Sequence, residues 1–321
     1  MEKLLFTYHV PLGDCADLLQ GFELVRPAHL AAKFSRQELL ERIGEASALF
    51  CFADHPCDRE LIDAGNKLKV VGNVGVGYNA IDVAAASAKG VKVINTPRGV
   101  TEPTAELTIA LMLDCCRSVS RYDRELRAAR KWNPGILEER DMVLTGRTLG
   151  VLGFGRIGRS VARKAAFGLN MKIVYHDIRR ADPEVEKELD AVYMPPEDVL
   201  RRADVVTLHM PYTPENHHFI NEERLSLMKP TAYLINAARG AIVSERALVG
   251  ALRAGVIRGA GLDVHENEPT VSEEVASLDN VVLTPHVGTR IPAVRMDMLG
   301  EMIRGVLAVL RGEQTHNVVN P

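Results

Sequence analysis

No apolar run in the chain approaches membrane-spanning length, and the N-terminal MEKLLFTYHV places only Leu4, Leu5 and Phe6 between Lys3 and Thr7, too few for the core of a signal peptide. The expectation is a soluble cytoplasmic protein. Charge of one sign is missing as well. The 39 basic and 42 acidic residues are spread along the sequence and leave a net charge of −3, so neither nucleic acid nor a membrane surface is indicated as a partner. Cysteine is scarce and forms no C-x-x-C. Cys15, Cys51, Cys57, Cys115 and Cys116 are an odd set, which argues against a disulfide framework and for buried, reduced thiols. Internal repeats and low-complexity stretches are absent too. What remains is a chain of 321 residues, 46% hydrophobic, enough for about two ordinary domains with a sizeable core each.

The most informative stretch runs from Arg147 to Asp177, RTLGVLGFGRIGRSVARKAAFGLNMKIVYHD. An apolar run at Thr148 to Leu152 leads into G-x-G-x-x-G at Gly153, Gly155 and Gly158. A helical pattern follows over Arg159 to Phe167, and a second apolar run, Met171 to Tyr175, ends at Asp177. Strand, tight turn, helix and strand in that order form a dinucleotide-binding unit. Gly153 permits the turn, Gly155 lets backbone amides approach a pyrophosphate, and Gly158 lets the helix pack closely on the strand. The helix N-terminus offers unpaired N–H groups and the positive end of its dipole to the phosphates. Asp177 stands nineteen residues after Gly158 (177 − 158), where a carboxylate binds the hydroxyls of the adenosine ribose and repels a 2′-phosphate. NAD(H) is thereby favoured over NADP(H), although Arg179 and Arg180 offer guanidinium groups that can hold such a phosphate.

Residues 1 to 97 alternate strand-like runs (Leu4 to Tyr8, Ala48 to Phe52, Leu68 to Val71, Val91 to Ile94) with helical patterns (Ser35 to Ile43, Ile81 to Lys89), the rhythm of a parallel sheet covered on both faces. Asn73-Val74-Gly75-Val76-Gly77-Tyr78-Asn79 lies between a strand and a helix. Its bare amides either hold a small anion such as a substrate carboxylate or form a plain turn. Glu102 to Arg130 reads as one long helical region, apolar on more than one face in its first half, hence a crossing helix that also meets a second subunit. Lys131 to Glu139 reads as a loop. After Asp177, apolar runs at Val205 to Leu208, Ala232 to Ile235, Gly259 to Leu262 and Val281 to Leu283 alternate with helical patterns such as Glu222 to Met228 and Glu245 to Ala254, and Pro292 to Leu310 is a helix expected to pack back on the first unit. The predicted class is α/β with two doubly wound parallel-sheet domains, one over residues 1–97 and 290–321 and a dinucleotide-binding one over 98–289.

In such a sheet the carboxyl ends of the strands converge on a crevice where ligands bind. Three residues at these ends suit the reduction of a carbonyl beside a carboxylate. Arg239, after Asn236-Ala237-Ala238, can fork onto a carboxylate or carbonyl oxygen and stabilise charge developing there. His286, after Thr284-Pro285, can give a proton to the carbonyl oxygen as hydride reaches the carbon, and accept one in the oxidative direction. A free imidazole is mostly neutral at physiological pH, and Glu268 supplies a carboxylate that favours its charged form. Each has a bland alternative: a surface Arg at a turn, a solvated loop acid, a strand cap. Their recurrence at successive strand ends is what points to a site. His9, His29, His55, His176, His209, His265 and His316 lack that combination and read as structural or exposed. His217 and His218, adjacent on a turn, are expected to diverge, with no Cys or carboxylate set spaced to complete a metal site.

VLGFGRIGRSVA, NAARGAIVSERALVGAL, GAGLDVHENEP and LTPHVGT, with NVGVGYNAIDV and NTPRGVTEPTAEL in the N-terminal half, resemble the successive signatures of the D-isomer-specific 2-hydroxyacid dehydrogenases over nearly the whole chain. The resemblance implies a Rossmann NAD-binding domain, a flavodoxin-like and discontinuous substrate domain, a cleft that closes on binding, and a homodimer built on the helix after Glu102. It implies that Arg239 binds substrate, that Glu268 partners His286, that His286 is the acid and base, and that the amides of Val76 and Gly77 hold the substrate carboxylate. Cofactor contacts are implied at Thr104, Gly153, Gly155, Arg156, Ile157, Gly158, Asp177, Ala237, Asp263 and His286. NTPRGVTEPTAEL is most similar to the glyoxylate, hydroxypyruvate and 2-ketogluconate reductases, although Arg98 stands where a small or acidic residue is expected. Selectivity for the substrate side chain is expected from residues near Phe52 to His55 and from Tyr78. Formate dehydrogenases of this superfamily have Gln where Glu268 stands, which argues for acid and base chemistry here. Two alternatives stay open: a phosphoglycerate dehydrogenase without a regulatory domain, and an NAD(H)-sensing regulator resembling the C-terminal-binding corepressors. Turnover of NADH with a small 2-keto acid separates an enzyme from a regulator.

Overall fold

The computed structural model describes residues 1–52, 56–132 and 141–320, which divide into two units, 1–100 with 289–321 and 101–288. The first begins β1 (Lys3–Phe6), β2 (Glu23–Val25), α1 (Arg36–Ile43), β3 (Ala46–Phe52), α2 (Arg59–Ala64), β4 (Val70–Val74), α3 (Val83–Ala88) and β5 (Lys92–Ile94). All five strands are parallel in the order β2-β1-β3-β4-β5, the flavodoxin-like arrangement. β4 is buried throughout and β3 nearly so, as central parallel strands covered on both faces must be. The helices start where a side chain can take an orphan amide: Ser35 caps α1 in a capping box with Glu38, and Asp58 and Asp82 accept the N–H groups of Leu61 and Ala85. The C-terminal helix, Pro292–Leu310, lies on β4. Gly72 permits this, since a Cβ there would come within 2.7 Å of Val306 and 2.8 Å of Met302.

The second unit comprises α4 (Thr101–Arg117), α5 (Val119–Ala129), β6 (Thr148–Leu152), α6 (Arg156–Leu169), β7 (Lys172–His176), α7 (Pro183–Leu189), β8 (Ala191–Tyr193), α8 (Pro196–Arg202), β9 (Val205–Leu208), α9 (Glu222–Ser226), β10 (Tyr233–Asn236), α10 (Glu245–Arg253), β11 (Gly259–Leu262), α11 (Glu273–Ala276) and β12 (Val281–Leu283), so the C-terminal helix of the first unit is α12. Seven parallel strands run β12-β11-β10-β9-β6-β7-β8, a doubly wound sheet whose order reverses between β6 and β9. That reversal opens the crevice in which such sheets bind ligands.

The helical region expected over Glu102 to Arg130 is two helices. Ser118 turns left-handed at a φ of 51°, and the side chain of Asp114 accepts the N–H of Ser120 at 2.7 Å, so α5 starts afresh with one orphan amide satisfied. α4 is covered on several faces, by α6, β10, β11 and β12, whereas α5 buries no residue. The loop expected over Lys131 to Glu139 lies mostly outside the described residues. Four of the five cysteines are buried and Cys15 is half-buried, all as free thiols. No helix among the described residues is long and apolar enough to cross a membrane.

Candidate active site

β6 feeds directly into the phosphate-type turn. Gly153 has a φ of 93°, and a Cβ there would lie 2.4 Å from the amide nitrogen of Met210. A Cβ on Gly158 would lie 2.1 Å from the carbonyl oxygen of Gly153, so α6 seats on the turn only without one. Gly155 differs: nothing stands within 4 Å of the place a Cβ would take. It is the N-cap of α6 and offers no side chain, so no side chain caps the orphan amides of the first turn, as a cradle for a pyrophosphate requires. Arg156 is exposed and Ile157 half-buried at the same end. Asp177 closes the turn from the next strand, its Oδ2 accepting the N–H of Phe154 at 2.6 Å and its Oδ1 that of Arg179 at 3.1 Å. Each oxygen keeps a lone pair for a ribose hydroxyl. These residues fit a bound dinucleotide.

On the other side of the reversal the structure brings Arg239, Glu268 and His286 to neighbouring strand ends. Arg239 leaves β10 through a turn built by Asn236, whose Oδ1 accepts the N–H of Ala238 and whose Nδ2 donates to the carbonyl of Arg239, both at 3.0 Å. Ala237 sits half-buried inside that turn. A Cβ on Gly240 would lie 1.9 Å from the carbonyl oxygen of His265, so the absence of a side chain lets this turn close against the segment that carries Glu268. Burial pulls the Arg239 guanidinium below its ordinary pKa while the charge of Glu268 opposes that shift. Glu268 accepts the N–H of His265 on Oε1 at 3.0 Å, and His286 Nδ1–H donates to Oε2 at 2.8 Å. Burial raises the Glu268 carboxyl, but the hydrogen bond and charge of His286 and the amide of His265 outweigh it and hold the group below the ordinary carboxylate range. With Nδ1 committed, Nε2 is the atom left to exchange a proton.

Asp263 positions the loop that presents His286. It is buried; Oδ1 accepts from the Thr284 hydroxyl at 2.7 Å and the Val287 amide at 2.8 Å, Oδ2 accepts from the Gly288 amide at 3.0 Å, and its carbonyl takes the N–H of His286 at 2.8 Å. This holds His286 at a φ of 50°. Thr104, buried in α4, faces Gly288. In the first unit, Val76 and Gly77 lie in a turn whose carbonyls are drawn back: Asn73 Nδ2 donates to those of Gly75 and Gly77, at 3.2 and 2.9 Å, and Asn95 Nδ2 to that of Val76 at 2.9 Å. Among the described residues nothing accepts the N–H of Val76 or Gly77, so this turn presents two bare donors.

Several supporting residues escape a reading by motif. Asn73, Asn95 and Asn236 shape turns through amide groups whose partners are set by the folded turn, and His265, which reads in the sequence as structural or exposed, orients Glu268 through its backbone and reaches the carbonyl of Thr284 through Nε2 at 3.1 Å. One expectation is corrected. The rings of His217 and His218 do not diverge but stack, with centroids 3.8 Å apart and planes 24° from parallel, because Nε2 of His218 is drawn to Glu266 Oε1 at 2.7 Å.

Residues 109–288 match the family described as D-isomer specific 2-hydroxyacid dehydrogenase, NAD binding domain, which is more than half the chain. A glyoxylate reductase of Thermococcus onnurineus is 42% identical over 99% of this chain and 96% of its own length. The chain belongs to the D-isomer specific 2-hydroxyacid dehydrogenases. Among solved members, a glyoxylate reductase from Paecilomyes thermophila superposes with a TM-score of 0.88 at 30% identity, covering 99% of this chain and 98% of that one. An NADPH-dependent glyoxylate/hydroxypyruvate reductase from Sinorhizobium meliloti gives 0.86 at 31% identity, covering 100% and 99%. This 2-hydroxyacid dehydrogenase therefore carries an NAD-binding domain and oxidoreductase chemistry.

Proposed function

We propose that this dehydrogenase reduces a small 2-keto acid, glyoxylate or hydroxypyruvate foremost and 2-ketogluconate as a larger member of the class, to the corresponding 2-hydroxy acid, of D configuration wherever the product is chiral, using NADH in preference to NADPH. The observation that carries the reading is the 2.8 Å bond between His286 Nδ1 and Glu268, set among strand ends that also carry Arg239. When bound, reduced nicotinamide supplies the hydride. Arg239 holds the keto acid and stabilises negative charge growing on its carbonyl oxygen. His286, its Nδ1 held on Glu268, gives a proton from Nε2 to that oxygen. The amides of Val76 and Gly77 take the substrate carboxylate. In the oxidative direction His286 accepts the hydroxyl proton. The names of the 42% and 43% identical relatives, glyoxylate reductases both, support the substrate. Asp177 supports the preference for NADH. The protein is a homodimer in this proposal, joined through α4 and α5.

The test is oxidation of NADH and NADPH against glyoxylate, hydroxypyruvate, pyruvate, branched 2-keto acids, 3-phosphohydroxypyruvate and 2-ketogluconate. Turnover of roughly 1 to 1000 per second with glyoxylate or hydroxypyruvate is expected. Silence across the panel with NADH still bound overturns the reading in favour of a regulator.

A further inference from the structure

The loop after β7 carries two arginines, and the structure treats them differently. Arg179 is exposed, and among the described residues its guanidinium has no partner. Arg180 is captured. Its Nε donates to Glu186 Oε1 at 2.8 Å and its Nη2 to Oε2 at 2.9 Å, a two-bonded fork. Glu186, in the first turn of α7, is 13% exposed at its side chain against 66% for Arg180. The same Oε1 accepts the hydroxyl of Tyr175 at 2.6 Å, and that hydroxyl accepts the amide of Ala181 at 3.0 Å. The Arg180 guanidinium also stands 5.8 Å from the ring centre of Tyr193, whose hydroxyl donates to the carbonyl of Asp177 at 3.3 Å. The loop from Asp177 to Ala181 is thus fastened at both ends, with Arg180 folded back onto α7. Arg180 first, and Tyr175 after it, hold the Glu186 carboxyl down at about 2, so the fork stays charged throughout the neutral range.

We propose that Glu186 is a specificity residue for the cofactor: by gripping Arg180 it withholds a guanidinium from the 2′-phosphate of NADP(H). A guanidinium released at this position makes charge-assisted bonds to a phosphate dianion, whereas a gripped one must first surrender its bonds to Glu186. The inference rests on the reading that Asp177 lies at the adenosine ribose.

The experiment is fluorescence titration of NADH and NADPH into the wild type, Glu186→Gln, Arg180→Ala and the double variant, with Tyr175→Phe as a control that leaves the fork intact. Glu186→Gln is expected to tighten NADPH about tenfold while NADH changes less than about twofold, the scale of one or two charge-assisted contacts to phosphate. The gain must vanish when Arg180→Ala is added, and Tyr175→Phe must show none. NADH binding intact with NADPH unchanged in Glu186→Gln, or a gain that survives in the double variant, overturns the role of Glu186 alone. Failure of the wild type to bind either dinucleotide overturns the ribose assignment and this inference with it.

Discussion

His286, the proposed proton donor, is a left-handed residue with an engaged Nδ1 and an exposed ring. Its replacement by Ala is expected to lower turnover at least about a hundredfold and to leave the Kd for NADH nearly unchanged; equal losses in both would mean that the ring serves binding rather than proton transfer. His209 makes a contrasting case. It closes β9 with Nε2 on the Thr207 hydroxyl and an Nδ1 that has no partner among the described residues, and burial drives its pKa down to about 3. In the unfolded chain an imidazole titrates near ~6.5. Between those two values the unfolded state binds the additional proton, so this contribution to stability is complete above the unfolded value and is lost as pH falls toward the folded one. Urea midpoints should therefore drop less on acidification from neutrality in His209→Gln than in the wild type, and parallel curves would refute the assignment. That Glu268, Arg239 and His286 lie at neighbouring strand ends is legible in the sequence because each follows an apolar strand in its own short motif. Asn95 was not, since the carbonyl it holds belongs to Val76, in another turn.

The turn from β6 to α6 shows how one motif divides its labour. Gly158→Ala forces a Cβ into the Gly153 carbonyl and is expected to destabilise the protein by about 2 kcal/mol or more. Gly155→Ala meets open space and a φ of −71° that any residue adopts, so its unfolding midpoint should match the wild type while its Kd for NADH weakens about tenfold. A Gly155→Ala protein that binds NADH normally would remove the pyrophosphate from this turn. β6 was readable because a buried parallel strand is a continuous apolar run ending in glycine. β2 was not, being three residues, Glu-Leu-Val, with no buried member at a sheet edge, and neither was the break between α4 and α5, where Ser118 carries none of the usual helix-stopping chemistry.

At the scale of the molecule, two parallel sheets of different strand order divide the chain, and the larger one has the order reversal where dinucleotides bind. The parallel sheets are legible in the sequence because strands and helices alternate throughout. Assembly is argued from α5. Val119 and Leu126, seven positions apart on one face, are 60% and 49% exposed on a helix that buries nothing. The wild type is expected to run as a dimer by light scattering and the Val119→Asp, Leu126→Asp variant as a monomer; a dimer that survives both changes would place the interface elsewhere. The central claim is hydride transfer to a small 2-keto acid with one handedness. It is tested most directly by incubating the wild type with NADH and hydroxypyruvate and resolving the enantiomers of the glycerate formed: the account predicts D-glycerate alone in step with NADH consumed, and L-glycerate, a racemate, or no glycerate while NADH binds would contradict it.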